Sequence, residues 1–287
     1  MAARRRVNRK RALGIGIVAV MVAAALWYCF PYIQGEMEYE RVRRMADMAS
    51  SEHVEQVETD GPAAADSGSG DANMARVIDF DSLTATNPDT IGWIWVPGTP
   101  IDYPVVQAPA DDPTKYLHTT FLGSVSWPNN EGTIYLEADA AEHGFSSTAP
   151  LLYGHYQLNN SMFSAWSKNY EPGHMDGIRD VYIYTPKGNI HVRLFAANKV
   201  NATVERVRTD FADLADLNSW LDERLGESEV VLEDPGELTQ LWTFCVCSYD
   251  TWKNQRTLSY GYTVEDTRPA TVKNSDRLPN SSAVSGQ

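Results

Sequence analysis

The sequence predicts a mainly β protein, a β-barrel or sandwich with appended helices. Three observations predict it. From about Arg76 onward, short stretches rich in β-branched and aromatic residues alternate with turn residues. Two of those stretches read as the arms of a hairpin. Only one segment of that region carries apolar residues at sustained helical spacing.

The elements follow in order. Gly92-Trp93-Ile94-Trp95-Val96 is a strand closed by the turn pair Pro97-Gly98. Ile101 to Val106 is a second, Gly132 to Leu136 a third and Thr148 to Gly154 a fourth. Val181 to Tyr184 and Ile190 to Ala197 form the hairpin across Thr185-Pro186-Lys187-Gly188-Asn189. Phe211, Leu214, Leu217, Leu221 and Leu225 sit on one helical face, and the helix is expected to stop at Gly226. Leu238 to Cys247 and Thr257 to Val264 are the last two strands. Beyond Thr267 the chain is polar and carries Pro269 and Pro279, so residues 268–287 read as a loose tail.

The N-terminal quarter has a different character. The first eleven residues carry six bases and no acid, although the whole chain has a formal charge of -14. That overall charge argues against a general nucleic-acid partner. Ala12 to Ile33 is free of charge and as a helix spans about 33 Å, enough for a bilayer core of about 30 Å. Trp27, Tyr28, Phe30 and Tyr32 cluster at its far end, where aromatic rings suit the lipid–water boundary. The basic residues keep the leading end in the cytoplasm. A cleaved leader is the rival reading, with Ala23-Ala24-Ala25 as its cleavage site. The apolar run continues past that point through large aromatics, which favours an anchor. Either way the remainder lies outside the cytoplasm. Gln34 to Thr59 reads as a helical stalk with apolar residues at Met37, Val42, Met45 and Met48, and Asp60 to Asn73 as a flexible linker.

The cysteines are Cys29, Cys245 and Cys247, too few and too oddly spaced for a disulfide framework or a structural zinc site. Alternation along Leu241–Cys247 puts Leu241, Thr243, Cys245 and Cys247 on one face, with Trp242, Phe244 and Val246 on the other. Cys247 ends the strand beside a loop, where a thiol can react. A small buried hydrophobe is the commoner fate of a free cysteine. Of the six histidines, His155 stands out, because it follows the apolar strand Pro150-Leu151-Leu152-Tyr153-Gly154 and faces a cleft at its mouth. His191 alternates within a hairpin arm and reads as solvent-facing. Arg256 follows Cys247 by a hairpin-length loop and shares a strand face with Leu258, Tyr260 and Tyr262. A guanidinium beside a thiol raises its thiolate character and holds an oxyanion. Taken alone, it is an ordinary surface arginine.

Together these residues resemble the sortase family, class B in particular. The likeness runs from about Asn87 to about Val264. It is carried by NPDTIGWIWVPGTPIDYPVVQ (87–107), by LLYGHYQLNNSMFSAW (151–166) with Met162 and Phe163 after the histidine, and by TFCVCSYDTWKNQR (243–256). Cys247-Ser248-Tyr249 fits the family's cysteine. Val246 stands where the family has threonine, and Tyr156 where asparagine is common.

The resemblance implies a closed sortase-like barrel over residues 76–267. It would follow a basic cytoplasmic tail (1–11), a transmembrane anchor (12–33), and a stalk with linker (34–75). It also implies a cysteine transpeptidase with His155, Cys247 and Arg256 as the catalytic trio, and Tyr153, Cys245 and Asp250 as candidate substrate contacts. The implied partners are surface proteins or pilins bearing a sorting signal cut after threonine, and an amine of cell-wall precursor or of a pilin lysine. A peptidase releasing its product to water and a catalytically silent scaffold on the same fold are the rival classes. No metal or organic cofactor is implied, although Asp111-Asp112 and Glu137-Ala138-Asp139 carry the oxygen ligands that calcium prefers.

Overall fold

A computed structural model describes residues 9–57, 71–125 and 132–273. It opens on a continuous helix α1 (Arg9–Val57) and a short α2 (Phe80–Thr86). Strands β1 (Thr90–Trp95) and β2 (Asp102–Gln107) follow, then α3 (Lys115–His118), β3 (Ile134–Leu136) and β4 (Leu151–Gly154). The chain continues through β5 (Asp180–Thr185), β6 (Gly188–Asn201), α4 (Leu214–Glu227) and β7 (Val230–Val231). It closes with β8 (Trp242–Cys247), β9 (Gln255–Asp266) and α5 (Ala270–Lys273).

The strands pair in the order β5-β1-β2-β3-β4-β8-β9-β6, and β6 also pairs with β5, so the sheet closes into a barrel with β7 added on β6. Closure removes free sheet edges. It depends on the long strand β6, whose register shifts at His191/Val192 and Leu194/Ala196 let one strand bond β5, β9 and β7. The expected hairpin of β5 and β6 forms as read, around Thr185 and Gly188.

Two apolar cores flank β8, which explains its almost unbroken apolar sequence. Trp242, Phe244 and Val246 face the barrel interior with Trp93, Phe163 and Trp166. Leu241 and Cys245 face a second cluster under α4, with Leu217, Leu221, Leu258 and Tyr260. This is the face assignment that alternation gave. Helix α4 begins later than its apolar spacing suggests, because the Asp213 side chain accepts from the Asp216 N–H at 2.8 Å and caps it there. Phe211 still packs in the cluster from outside the helix. Gly226 does not end α4, whose last turn is tied by Arg224 to Glu227 at 2.8 Å and whose C-cap is Ser228.

The segment expected as a stalk is part of the barrel's packing. Tyr39, Val42 and Ala46 are buried in the main core, while Met37 is 62% exposed. Arg43 bonds the Asp102 carbonyl at 3.2 Å and lies over the Tyr103 ring. Tyr39 stands edge-on to Tyr103, and its hydroxyl donates to the Gly132 carbonyl. Among the described residues no helix is long and apolar enough to cross a membrane. In the stretch read as an anchor, Leu13, Ile15 and Trp27 are exposed. The side chains of Ala12, Tyr28, Pro31 and Tyr32 lie outside the described residues, as do residues 1–8 and 58–70.

Two further expectations change. The end of the linker is docked, since Asp71 caps a short 3₁₀ turn and accepts from the Tyr182 hydroxyl. His191 is buried rather than solvent-facing: it stacks on Tyr182 at 4.7 Å and bonds Asp180 at 2.8 Å, because the 71–75 segment covers that face. Within the tail expected to be loose, Arg268 is buried and paired with Asp266 at 2.9 Å. Residues 274–287 lie outside the described residues.

Candidate active site

Three neighbouring strands bring the catalytic candidates to one end of the barrel. β4 runs parallel to β8 with Gly154 beside Val246, so His155 and Cys247 each lie one step further along adjacent strands. β9 runs antiparallel to β8 with Arg256 directly opposite Cys247. Residues directly opposite share a face. All three side chains line one cavity of about 280 Å³ with Tyr135, Glu137, Tyr153, Cys245 and Leu117.

Local packing fixes the histidine. A Cβ on Gly154 would lie 2.4 Å from the Phe163 ring, so glycine is required there by close approach. Phe163 returns over the strand end and donates its N–H to the His155 carbonyl at 3.1 Å. Met162 holds φ +55° in that turn, with its side chain buried. Behind the imidazole, Gly132 has φ +51°, and a Cβ there would sit 2.9 Å from the ring. The His155 Nε2 lies 2.8 Å from the Leu117 carbonyl. A carbonyl only accepts, so Nε2 carries the proton and Nδ1 is left as the basic nitrogen.

Burial pushes the His155 pKa down to about 4, opposed by the bond to Leu117 and assisted by His118 and Arg256. The imidazole is therefore neutral at pH 7, as a proton acceptor must be. The sign of its contribution to stability follows. Above pH 6.5 the ring is neutral folded and unfolded. Between pH 6.5 and about 4 the unfolded chain takes a proton that the folded site refuses, so stability falls with pH by up to about 3 kcal/mol. Glu137 acts oppositely, because burial, then Asp139, push it up to about 7. The parent is therefore compared with His155→Gln by urea unfolding at pH 7 and pH 4.5. The parent is expected to lose more stability than the variant on acidification, and an identical loss would contradict a buried, depressed imidazole.

The two sulfurs differ in kind. Cys247 is partly exposed and Cys245 is buried, with 2% of its surface accessible. Burial raises the Cys245 thiol far above its ordinary range, which keeps it protonated. Tyr153 lines the same cavity, and burial pushes its phenol up as well. Asp250 does not line it. That carboxylate is exposed and accepts from the Tyr170 hydroxyl. Three neighbours were not singled out by sequence. The Leu117 carbonyl leaves no signal in residue type. Tyr249, two residues past Cys247, packs edge-on against Tyr156, and burial pushes its phenol up to about 12. Glu137 shows only as part of an acidic loop. Among the described residues no group of three or more His, Cys, Asp or Glu is placed to hold a metal ion.

No family model matches the chain. It is 24% identical over 202 residues to sortase B of Staphylococcus aureus, covering 69% of this chain and 72% of that protein. Against sortase B of Listeria monocytogenes it is 24% identical over 139 residues, 48% of this chain and 54% of the relative. Among solved structures, a Staphylococcus aureus sortase B–substrate complex superposes with a TM-score of 0.63 at 20% identity, over 82% of this chain and 99% of the other. Clostridium perfringens sortase B gives 0.56 at 26% identity, over 65% of this chain and all of the other. The closed barrel and these likenesses support a sortase-type cysteine transpeptidase. More narrowly, the likeness is to the class B sortases, in sequence and in fold.

Proposed function

We propose that this protein cleaves a sorting signal after threonine and joins the acyl group, through a thioester on Cys247, to an amine of cell-wall precursor or of a pilin. The observation that carries the reading is the convergence of His155, Cys247 and Arg256 on one cavity at the ends of β4, β8 and β9. His155 Nδ1 takes the thiol proton as sulfur attacks the carbonyl carbon. Arg256 faces the oxyanion that forms. The C–N bond breaks, the departing amine takes the proton from His155, and the thioester remains. An acceptor amine in its neutral form then attacks the thioester and passes a proton to His155. The C–S bond breaks, and the proton returns to sulfur.

The protein is held at the cell membrane through residues 12–33, with the basic tail cytoplasmic and the barrel outside. The exposed apolar side chains of Leu13, Ile15, Ile17 and Val20 support that placement, since lipid is the solvent that suits them.

The test is a peptide library with threonine before the scissile bond, incubated with the full-length chain in detergent, with and without triglycine. Mass spectrometry is expected to show a thioester adduct at Cys247 and a triglycine-joined product. Hydrolysis products alone at all acceptor concentrations would favour the peptidase. Absence of any adduct would favour a silent scaffold.

A further inference from the structure

The site holds a carboxylate that the reaction above does not use. Glu137 follows β3, and its backbone is pinned on both sides: its N–H donates to the Leu151 carbonyl at 2.9 Å, and its carbonyl accepts from Gln107 Nε2 at 2.9 Å. Its side chain lines the cavity that holds His155, Cys247 and Arg256. The Oε2 atom is buried and accepts no hydrogen bond. Arg206, a nearby cation, lies instead 3.8 Å from Asp139 and is itself 84% exposed. A buried carboxylate oxygen without a donor is costly, and it is retained where a ligand supplies the donor.

The cavity that Glu137 lines selects the ligand. A second cavity of about 430 Å³ meets the first at Tyr153, Cys245 and Arg256, and runs out along Val200 to Val207. His155 and Glu137 line the first cavity and are absent from the second. The departing amine must receive its proton from His155, and the incoming amine occupies the same place because the second half of the reaction retraces the first. The cavity with the histidine is thus the amine side, and the cavity along Val200 to Val207 is left for the acyl chain. An α-amino or lysine acceptor arrives at neutral pH mainly as a cation.

We propose that Glu137 is the specificity residue for the acceptor, pairing its Oε2 with the incoming ammonium beside His155. The inference rests on the transpeptidase reading and adds the residue that favours an amine over water. One proton leaves the ammonium for water before attack, and the next passes to His155 as the new C–N bond forms. Burial and Asp139 already push Glu137 up to about 7, as expected of a carboxylate lacking its counter-cation.

The experiment uses the full-length chain in detergent, with the best donor peptide from the library. Two acceptors separate charge from nucleophilicity: triglycine, whose amine is cationic at neutral pH, and hydroxylamine, which is uncharged there. Glu137→Gln is expected to raise the apparent KM for triglycine about tenfold, the loss of one charge-assisted hydrogen bond. The rate of acyl-enzyme formation without acceptor, and the reaction with hydroxylamine, are expected to stay within about twofold on the same scale of effects. Glu137→Asp is expected to restore part of the triglycine affinity. An unchanged KM for triglycine overturns the proposal. A parallel fall in acylation or in the hydroxylamine reaction also overturns it, because Glu137 then serves the donor or the fold. A Glu137→Gln chain that melts below the parent does the same, because the carboxylate would then have an internal partner. If the parent itself forms no acyl-enzyme, the transpeptidase reading fails first and takes the proposal with it.

Discussion

Cys247→Ala is expected to reduce acyl-enzyme formation and peptide cleavage to background, a loss on the order of 10⁴-fold or more, because no other group in the cavity can replace the nucleophile. Among the described residues, Cys245 is the other cysteine that lines the cavity, and its surroundings disqualify it. It is packed among Leu241, Leu258 and Tyr260, and burial holds its thiol protonated. Sulfur attacks only as it loses its proton, and burial opposes that loss at Cys245. Cys247 by contrast is partly exposed and directly opposite Arg256. Cys245→Ala removes a small buried hydrophobe and is expected to cost about 1–2 kcal/mol of stability while largely sparing turnover. Intact-mass detection of the thioester adduct on each variant decides the matter. An adduct retained on Cys247→Ala, or lost only on Cys245→Ala, would transfer the nucleophile to the other sulfur.

The convergence of His155, Cys247 and Arg256 on one cavity was legible because each sits at the end of a strand that local sequence already marks. Alternation along 241–247 aligns Cys247 with Cys245, and the loop to Arg256 is short enough for a hairpin, so the β8–β9 pairing follows from spacing. His155 needed one more step, the parallel pairing of β4 with β8, and no local pattern encodes it. Glu137 was visible only as acidity, since its meaning depends on Oε2 being buried beside a cavity that four strands enclose. The Leu117 carbonyl is a main-chain group and carries no residue signature. His191 was misplaced for a related reason. Alternation finds the outer face of a hairpin correctly but not the 71–75 segment that later covers it. The packing of Tyr39, Val42 and Ala46 was hidden the same way, because the stalk's charged composition outweighs three apolar positions on one face.

Arg256→Ala is expected to lower kcat for acylation by about 10²–10³-fold, the loss that follows removal of one oxyanion donor, with a smaller change in KM. The argument begins with the loop that positions it. Gln255 is fully buried; its Nε2 donates to Ser248 Oγ at 2.9 Å, and its Oε1 accepts from the Thr251 N–H at 2.8 Å. On the other side the Thr257 hydroxyl donates to the Ser167 carbonyl at 2.6 Å. Arg256 is thus held between two buried neighbours at the strand end. Its Nη1 donates to the Gln255 carbonyl at 3.0 Å, and the residue lines the cavity. Lysine carries the charge without that fork, so Arg256→Lys is expected to recover only part of the rate. Measuring kcat and KM separately distinguishes this role from substrate binding. A pure rise in KM would make Arg256 a binding residue, and a loss under threefold in both would remove it from the reaction, leaving the oxyanion to be met by backbone donors alone.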